Sequence, residues 1–137
     1  MKSRCADSRR GGSGYERRYP RIDAVDAVSC RPNFAVLCYS GYLKREDRDE
    51  VSEGIHIPAV TPPVFLTHAS DDSESDVAHS VVMYLALRRA VVPTELHVYA
   101  TGEYDFGVRQ NDQLPASWPQ LCLNWLRSGN LLASSTG

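Results

Sequence analysis

Apolar residues gather in short runs divided by polar, Gly-bearing and Pro-bearing stretches. After Arg31-Pro32-Asn33 the segment 34–39 is continuously apolar, Phe34-Ala35-Val36-Leu37-Cys38-Tyr39. A run this short and this apolar predicts a strand buried on both faces, as in a parallel sheet. Val64-Phe65-Leu66-Thr67, entered through Pro62-Pro63, predicts a second, and Glu95-Leu96-His97-Val98-Tyr99 a third. Between these two, Val77, Val81, Tyr84, Leu85 and Arg88 step at helical spacing. Ser73-Glu74-Ser75-Asp76 fits a capping box at the start of that helix. Arg88 and Arg89 suit its negative end, and Val91-Val92-Pro93 closes it. A last helix begins at Ser117-Trp118-Pro119-Gln120, with Ser117 as cap and Pro in the first turn. Trp118, Leu121, Cys122, Trp125 and Leu126 form its apolar stripe, and Gly129 fits the stop just beyond it. Leu131 and Leu132 are then placed to pack back onto the sheet.

The resulting order is strand, loop, strand, helix, strand, helix. It predicts an α/β fold with parallel strands and crossover helices, in which functional groups collect at the carboxyl ends of the strands. Asp71, Asp72 and the loop 102–107 fall there. Ile22, Val25 and Val28, three residues apart, allow either one or two helical turns or an extended surface segment. The charge run of residues 44–53 reads as a solvated loop. Residues 1–21 read as a disordered basic arm, and 133–137 as a fraying tail.

Composition narrows the function classes. The 137 residues suit one domain with a moderate core, and the formal net charge of −2 carries no nucleic-acid or membrane signature. Lys2, Arg4, Arg9, Arg10, Arg17, Arg18 and Arg21 crowd the first stretch, but without interleaved aromatics or a helical period before Tyr15. Cys5, Cys30, Cys38 and Cys122 have neither CxxC spacing nor a histidine at zinc-finger spacing. No metal and no cofactor is therefore expected, and Cys38 and Cys122 read as small buried hydrophobes. The sequence has no apolar signal-peptide core and no run long enough to span a bilayer, so the expected location is cytoplasmic.

A strand ending in an acid, a crossover helix, and a strand ending in a Gly-bearing loop suit the acid–base part of a nucleophilic triad. Asp71 or Asp72 would be the acid. Equally, two carboxylates before a helix favour its positive end. The histidines do not complete a triad in sequence: His68 ends a strand, His97 lies within one, His79 is on a helix and His56 in a loop. A G-x-S-x-G elbow is missing too. Gly11-Gly12-Ser13-Gly14-Tyr15 fails at its last position, and Ser40-Gly41 has Cys38 in place of the first glycine.

Residues 22–132 resemble the C-terminal part of an α/β-hydrolase. The narrower resemblance is to the dienelactone-hydrolase-like esterase/lipase group that includes acetylxylan-esterase-like proteins, some of them labelled xylanases. Several pieces carry it in order: residues 29–37, Thr61-Pro62-Pro63-Val64-Phe65-Leu66, His68-Ala69-Ser70-Asp71-Asp72, Tyr84-Leu85-Ala86-Leu87, residues 93–99, the loop 102–109 and the Trp118 to Leu126 helix. The resemblance implies that Asp72 is the triad acid and that Tyr104 stands where the group has its catalytic histidine. It also implies a serine elbow well upstream of Ile22. Tyrosine titrates near ~10 and histidine near ~6.5, so Tyr104 is a poor general base at neutral pH. The expectation is a truncated or degenerate carboxylic-ester hydrolase, inactive alone, whose substrate would be a small ester or an acylated carbohydrate. The alternatives are a non-catalytic interaction module that retains the sheet, with a protein partner over the edge at residues 34–39, or a xylan-degrading member of the group.

Overall fold

The computed structural model of the chain describes residues 20, 22–27, 31–108 and 112–132. The basic arm up to Tyr19, the tail 133–137, Val28, Cys5, Cys30 and the Ser13 motif lie outside them. Three strands, β1 (Ala35–Cys38), β2 (Val64–Ala69) and β3 (Thr94–Tyr99), form one sheet in the order β1-β2-β3. Both pairings are parallel, with Ala35 opposite Val64 and Val64 opposite Thr94. Helix α1 (Ala78–Arg89) joins β2 to β3, and α2 (Trp118–Ser128) follows β3 after a short 3-10 turn, Leu114–Ser117. The expected α/β architecture is present.

All six residues of β2 are buried. Alternation sends them to two layers. Val64 and Leu66 meet Leu87 and Val92 on the α1 side, flanked by Met83, Tyr84 and Leu96. Phe65 meets Cys122 and Leu126 on the α2 side, with Trp118, Leu121, Trp125 and Leu131 around them. Complete burial of Phe65 alone contributes about 2–3 kcal/mol. The stripe read along α2 is therefore the face that packs.

Four local expectations are corrected. The first concerns β1, whose residues are half-buried rather than fully buried. It stands at the edge of the described sheet, and only β2 lies beside it.

The second concerns the start of α1, which lies at Ala78 with Val77 as the flanking residue and no side-chain cap. Ser73 is not the cap. Asp72 Oδ1 accepts from the Glu74 and Ser75 N–H groups, and Asp76 Oδ1 from that of Ala78 at 2.8 Å. Carboxylates, not the Ser73 hydroxyl, thus accept from the backbone N–H groups just before and at the start of α1.

The third is the face of α1. Val81 and Leu85 are exposed, whereas Ser80, Val82 and Leu87 are buried. The inward row is Ser80, Met83, Tyr84, Leu87, one step round from the expected row. It begins with a serine because that hydroxyl has a partner in the core.

The fourth is the stop of α2. Gly129 has φ −84°, and Asn130 takes the left-handed conformation at φ 53°. The Asn130 N–H donates to the Arg127 carbonyl and the Leu131 N–H to that of Leu126, a Schellman closure. Helix α1 ends the same way, with Val91 at φ 60° and the Val92 N–H bonded to the Leu87 carbonyl.

Residues Val25–Ala27 form a single 3-10 turn, so the helical alternative holds locally. Val25 on it and Ile22 before it are exposed. The 44–53 loop is solvated as expected. It is tied by a Lys44–Val51 bridge and by ion pairs from Arg45 to Asp47 and Glu53. Among the described residues, no helix is long and apolar enough to cross a membrane.

Candidate functional site

The carboxyl ends of the three strands bring together Tyr39 after β1, residues 68–76 after β2, and the loop 102–107 after β3. His68 is the last inward residue of β2 on the α1 side, and it is completely buried. Two imidazole nitrogens taken out of water need two partners. His68 Nε2 lies 3.2 Å from Asp72 Oδ2 and 2.9 Å from the Ser75 carbonyl oxygen. Both are acceptors, so Nε2 carries the proton. Nδ1 then accepts from the Ser80 hydroxyl at 2.7 Å. The tautomer follows from this network.

Asp72 is likewise closed off. Its Oδ1 holds two backbone N–H groups at 2.9 and 2.8 Å, its Oδ2 faces His68, and its side chain has no exposed surface. Ser80, His68 and Asp72 therefore contain the three group types of a nucleophilic triad. Their arrangement is not that of one. In a working triad the serine meets Nε2 and the acid Nδ1, with the serine open to substrate. Here the nitrogens are exchanged and all three residues are buried, so an ester carbonyl cannot reach Ser80. The network ties β2 to the first turn of α1.

Asp71 turns the other way. It is exposed, and its Oδ1 accepts the Glu103 N–H at 2.8 Å, clasping the loop after β3. That loop has a contorted backbone: Glu103, Asp105 and Gly107 have φ of 55°, 60° and 56°. Gly102 has φ 155°, and a β-carbon there would stand 2.3 Å from Pro115 Cγ. Phe106 anchors the loop by burying its ring against Tyr39 and Tyr99. Trp118 Nε1 donates to the Gly107 carbonyl at 2.6 Å. Tyr104 is left half-exposed, its ring edge-on to Tyr39 at 5.1 Å. The Tyr39 hydroxyl donates to Asp105 Oδ1 at 3.3 Å. Burial, and then the Asp105 carboxylate, push the Tyr39 phenol above its ordinary value.

Of the two candidate site residues, Asp72 thus lies inside the protein with His68 and Tyr104 at the surface with Tyr39. No hydrogen bond joins Asp72 to Tyr104 among the described residues. The Ser80–His68 pair was legible in one respect. A histidine closing a buried strand must find partners for both nitrogens.

The other histidines also have structural partners or open surroundings. His97 Nε2 lies 2.6 Å from Glu95 Oε1, its ring stacked near Phe65. His79 Nδ1 accepts backbone N–H groups, and His56 is exposed. No group of three or more His, Cys, Asp or Glu among the described residues has the geometry of a metal site. Burial, with Cys122 nearby, pushes the Cys38 thiol up to about 11, so it is a poor nucleophile at neutral pH.

No family model matches the chain, and neither does any curated protein. Solved structures do match. An acetyl ester–xyloside bifunctional hydrolase from Caldicellulosiruptor lactoaceticus is 30% identical with a TM-score of 0.69, over 82% of this chain and 48% of that one. An α/β-hydrolase enzyme from a Medee basin deep-sea metagenome library is 21% identical with a TM-score of 0.54, over 72% and 44%. A carboxylesterase from Lactobacillus plantarum is 19% identical, also with a TM-score of 0.54, over 75% and 46%. The chain spans about half the length of these hydrolases. Its parallel sheet and flanking helices are the architecture of part of an α/β-hydrolase domain.

Proposed function

We propose that this chain is the acid-side part of a carboxylic-ester hydrolase of the acetylxylan-esterase-like, dienelactone-hydrolase-like kind, and that it does not turn over esters by itself. The observation that carries this is the engagement of Asp72. Both of its oxygens are taken by His68 and by backbone N–H groups inside the protein. The residue expected as base is a half-exposed tyrosine. The 30% identity to an acetyl ester–xyloside hydrolase supports the substrate class, a small ester or an acylated carbohydrate. The test is hydrolysis of acyl nitrophenyl esters by the purified chain, together with fluorophosphonate labelling. No turnover and no labelled serine are expected. Serine-dependent turnover blocked by the fluorophosphonate would overturn the proposal.

A second reading, a non-catalytic interaction module, is favoured by the contrast between the sheet edges. The β3 edge carries the Glu95–His97 pair, while β1 is Ala35-Val36-Leu37-Cys38 with no charge. Charged residues are a common guard against edge-to-edge pairing, and β1 has none. Sedimentation decides this reading: self-association or a requirement for a partner supports it, and a clean monomer with a cooperative melt sinks it.

A further inference from the structure

His79 lies in the first turn of α1, half-buried, next to Ser80 in sequence. Its Nδ1 accepts the Lys44 N–H at 2.9 Å and the Leu43 N–H at 3.2 Å. Both donors belong to the loop that follows β1. The loop closes on itself through the Lys44–Val51 bridge and the Arg45 N–H bond to the Glu50 carbonyl. Two donors converging on Nδ1 require that nitrogen to be bare, which leaves the ring proton on Nε2. A second proton can enter the ring only at Nδ1, where it would face two N–H groups. Protonation therefore removes both hydrogen bonds together and sets donor against donor.

We propose that His79 is a proton-operated latch: neutral, it clamps the 41–53 loop to the start of α1; protonated, it lets that loop go. The charged and titratable groups facing the ring come from three elements. Lys44 on the loop opposes a positive imidazole, Asp76 just before α1 favours it, and His68 on β2, neutral in its network with Ser80 and Asp72, would oppose it only with a second proton. Burial is the largest influence, and the sum holds the His79 pKa below its ordinary value. The Lys44 ammonium is itself held near Asp49, at 3.4 Å, and near the Arg45 carbonyl. The loop has a second tether, because the Ser75 hydroxyl donates to the Ser40 carbonyl at 2.8 Å. Release is thus confined to the outer loop, while its root stays at the end of β1.

The sign follows from linkage. The open loop leaves His79 free to take a proton and the closed loop does not. The open fraction rises about tenfold for each pH unit below ~6.5, until the depressed folded-state pKa is reached. The experiment is pH-dependent amide exchange on the intact chain, corrected for the intrinsic rate at each pH, with nitrogen NMR of the His79 ring. At pH 7.5 the ring is expected as the neutral Nε2–H tautomer. Protection of the Leu43 and Lys44 amides should fall about tenfold for each unit between pH 6.5 and the ring's own midpoint, with β2 amides unchanged. His79→Gln offers a carbonyl acceptor that does not titrate, and should abolish the pH dependence. The proposal is overturned by a proton on Nδ1 at pH 7.5, by flat wild-type protection across the range, or by an undiminished pH loss in His79→Gln.

Discussion

Thr67 and His68 are neighbours on β2, both wholly buried, and they point to opposite faces of the sheet. On the α1 face, His68 finds a partner for each nitrogen in Asp72, Ser75 and Ser80. On the α2 face, the Thr67 hydroxyl has no hydrogen-bond partner. The apolar cluster on that side is Phe65, Cys122 and Leu126 with two tryptophans, and the cross-strand neighbours of Thr67, Cys38 and His97, make no hydrogen bond to it. A buried polar group is therefore a clamp on one side of the strand and a cost on the other. The difference lies in what the facing helix supplies: α1 turns a serine inward, and α2 turns a cysteine and aromatics.

This contrast predicts a series of effects on unfolding in urea. The largest should come from His68→Leu, which leaves the Asp72 carboxylate and the Ser80 hydroxyl buried without their ring partner. A loss of about 3 kcal/mol is expected from the shift in midpoint. Ser80→Ala leaves only His68 Nδ1 unpaired, and should cost about 1–2 kcal/mol. Thr67→Val should have the opposite sign, a gain of about 1 kcal/mol, because it removes an unpaired hydroxyl from an apolar layer. If Thr67→Val and Ser80→Ala both destabilise by like amounts, the contrast between the two faces fails.

The helix ends extend the comparison. Helix α1 is closed by a β-branched residue at positive φ, Val91, and α2 by Asn130, which tolerates that conformation better. Val91 is 88% exposed, so its side chain contributes little packing to set against the strain. Val91→Gly should therefore stabilise by about 1 kcal/mol, and Asn130→Val should destabilise by a similar amount. Thermal melts of the pair would check both, and equal signs for the two would remove the assigned strain.

Legibility in the sequence follows the same division. The α2 stripe was readable because its inward residues, Trp118, Leu121, Cys122, Trp125 and Leu126, are all apolar or nearly so. The inward face of α1 lies one step round from the stripe its apolar residues trace, because the inward row opens with Ser80 while Val81 and Leu85 face out. A hydroxyl that is satisfied by a histidine twelve residues earlier is invisible to periodicity. The same holds for Asp72. The spacing from His68 was on view, but whether that carboxylate met His68 or faced the loop of Tyr104 depended on how the segment 70–76 folded back.

Local apolar pattern by itself determined the strands, their alternation with helices, the parallel α/β class and the packing face of α2. Burying apolar area needs only a continuous greasy surface, and that surface is written along the chain. Tertiary structure alone decided the half-exposure of β1, the rotation of α1, the carboxylate–backbone bonds before it and the partner of Asp72. The first follows from the place of β1 in the sheet, and the others from hydrogen bonds, local at Asp72 and Asp76 and twelve residues long at His68–Ser80, which exist only once both ends have been placed.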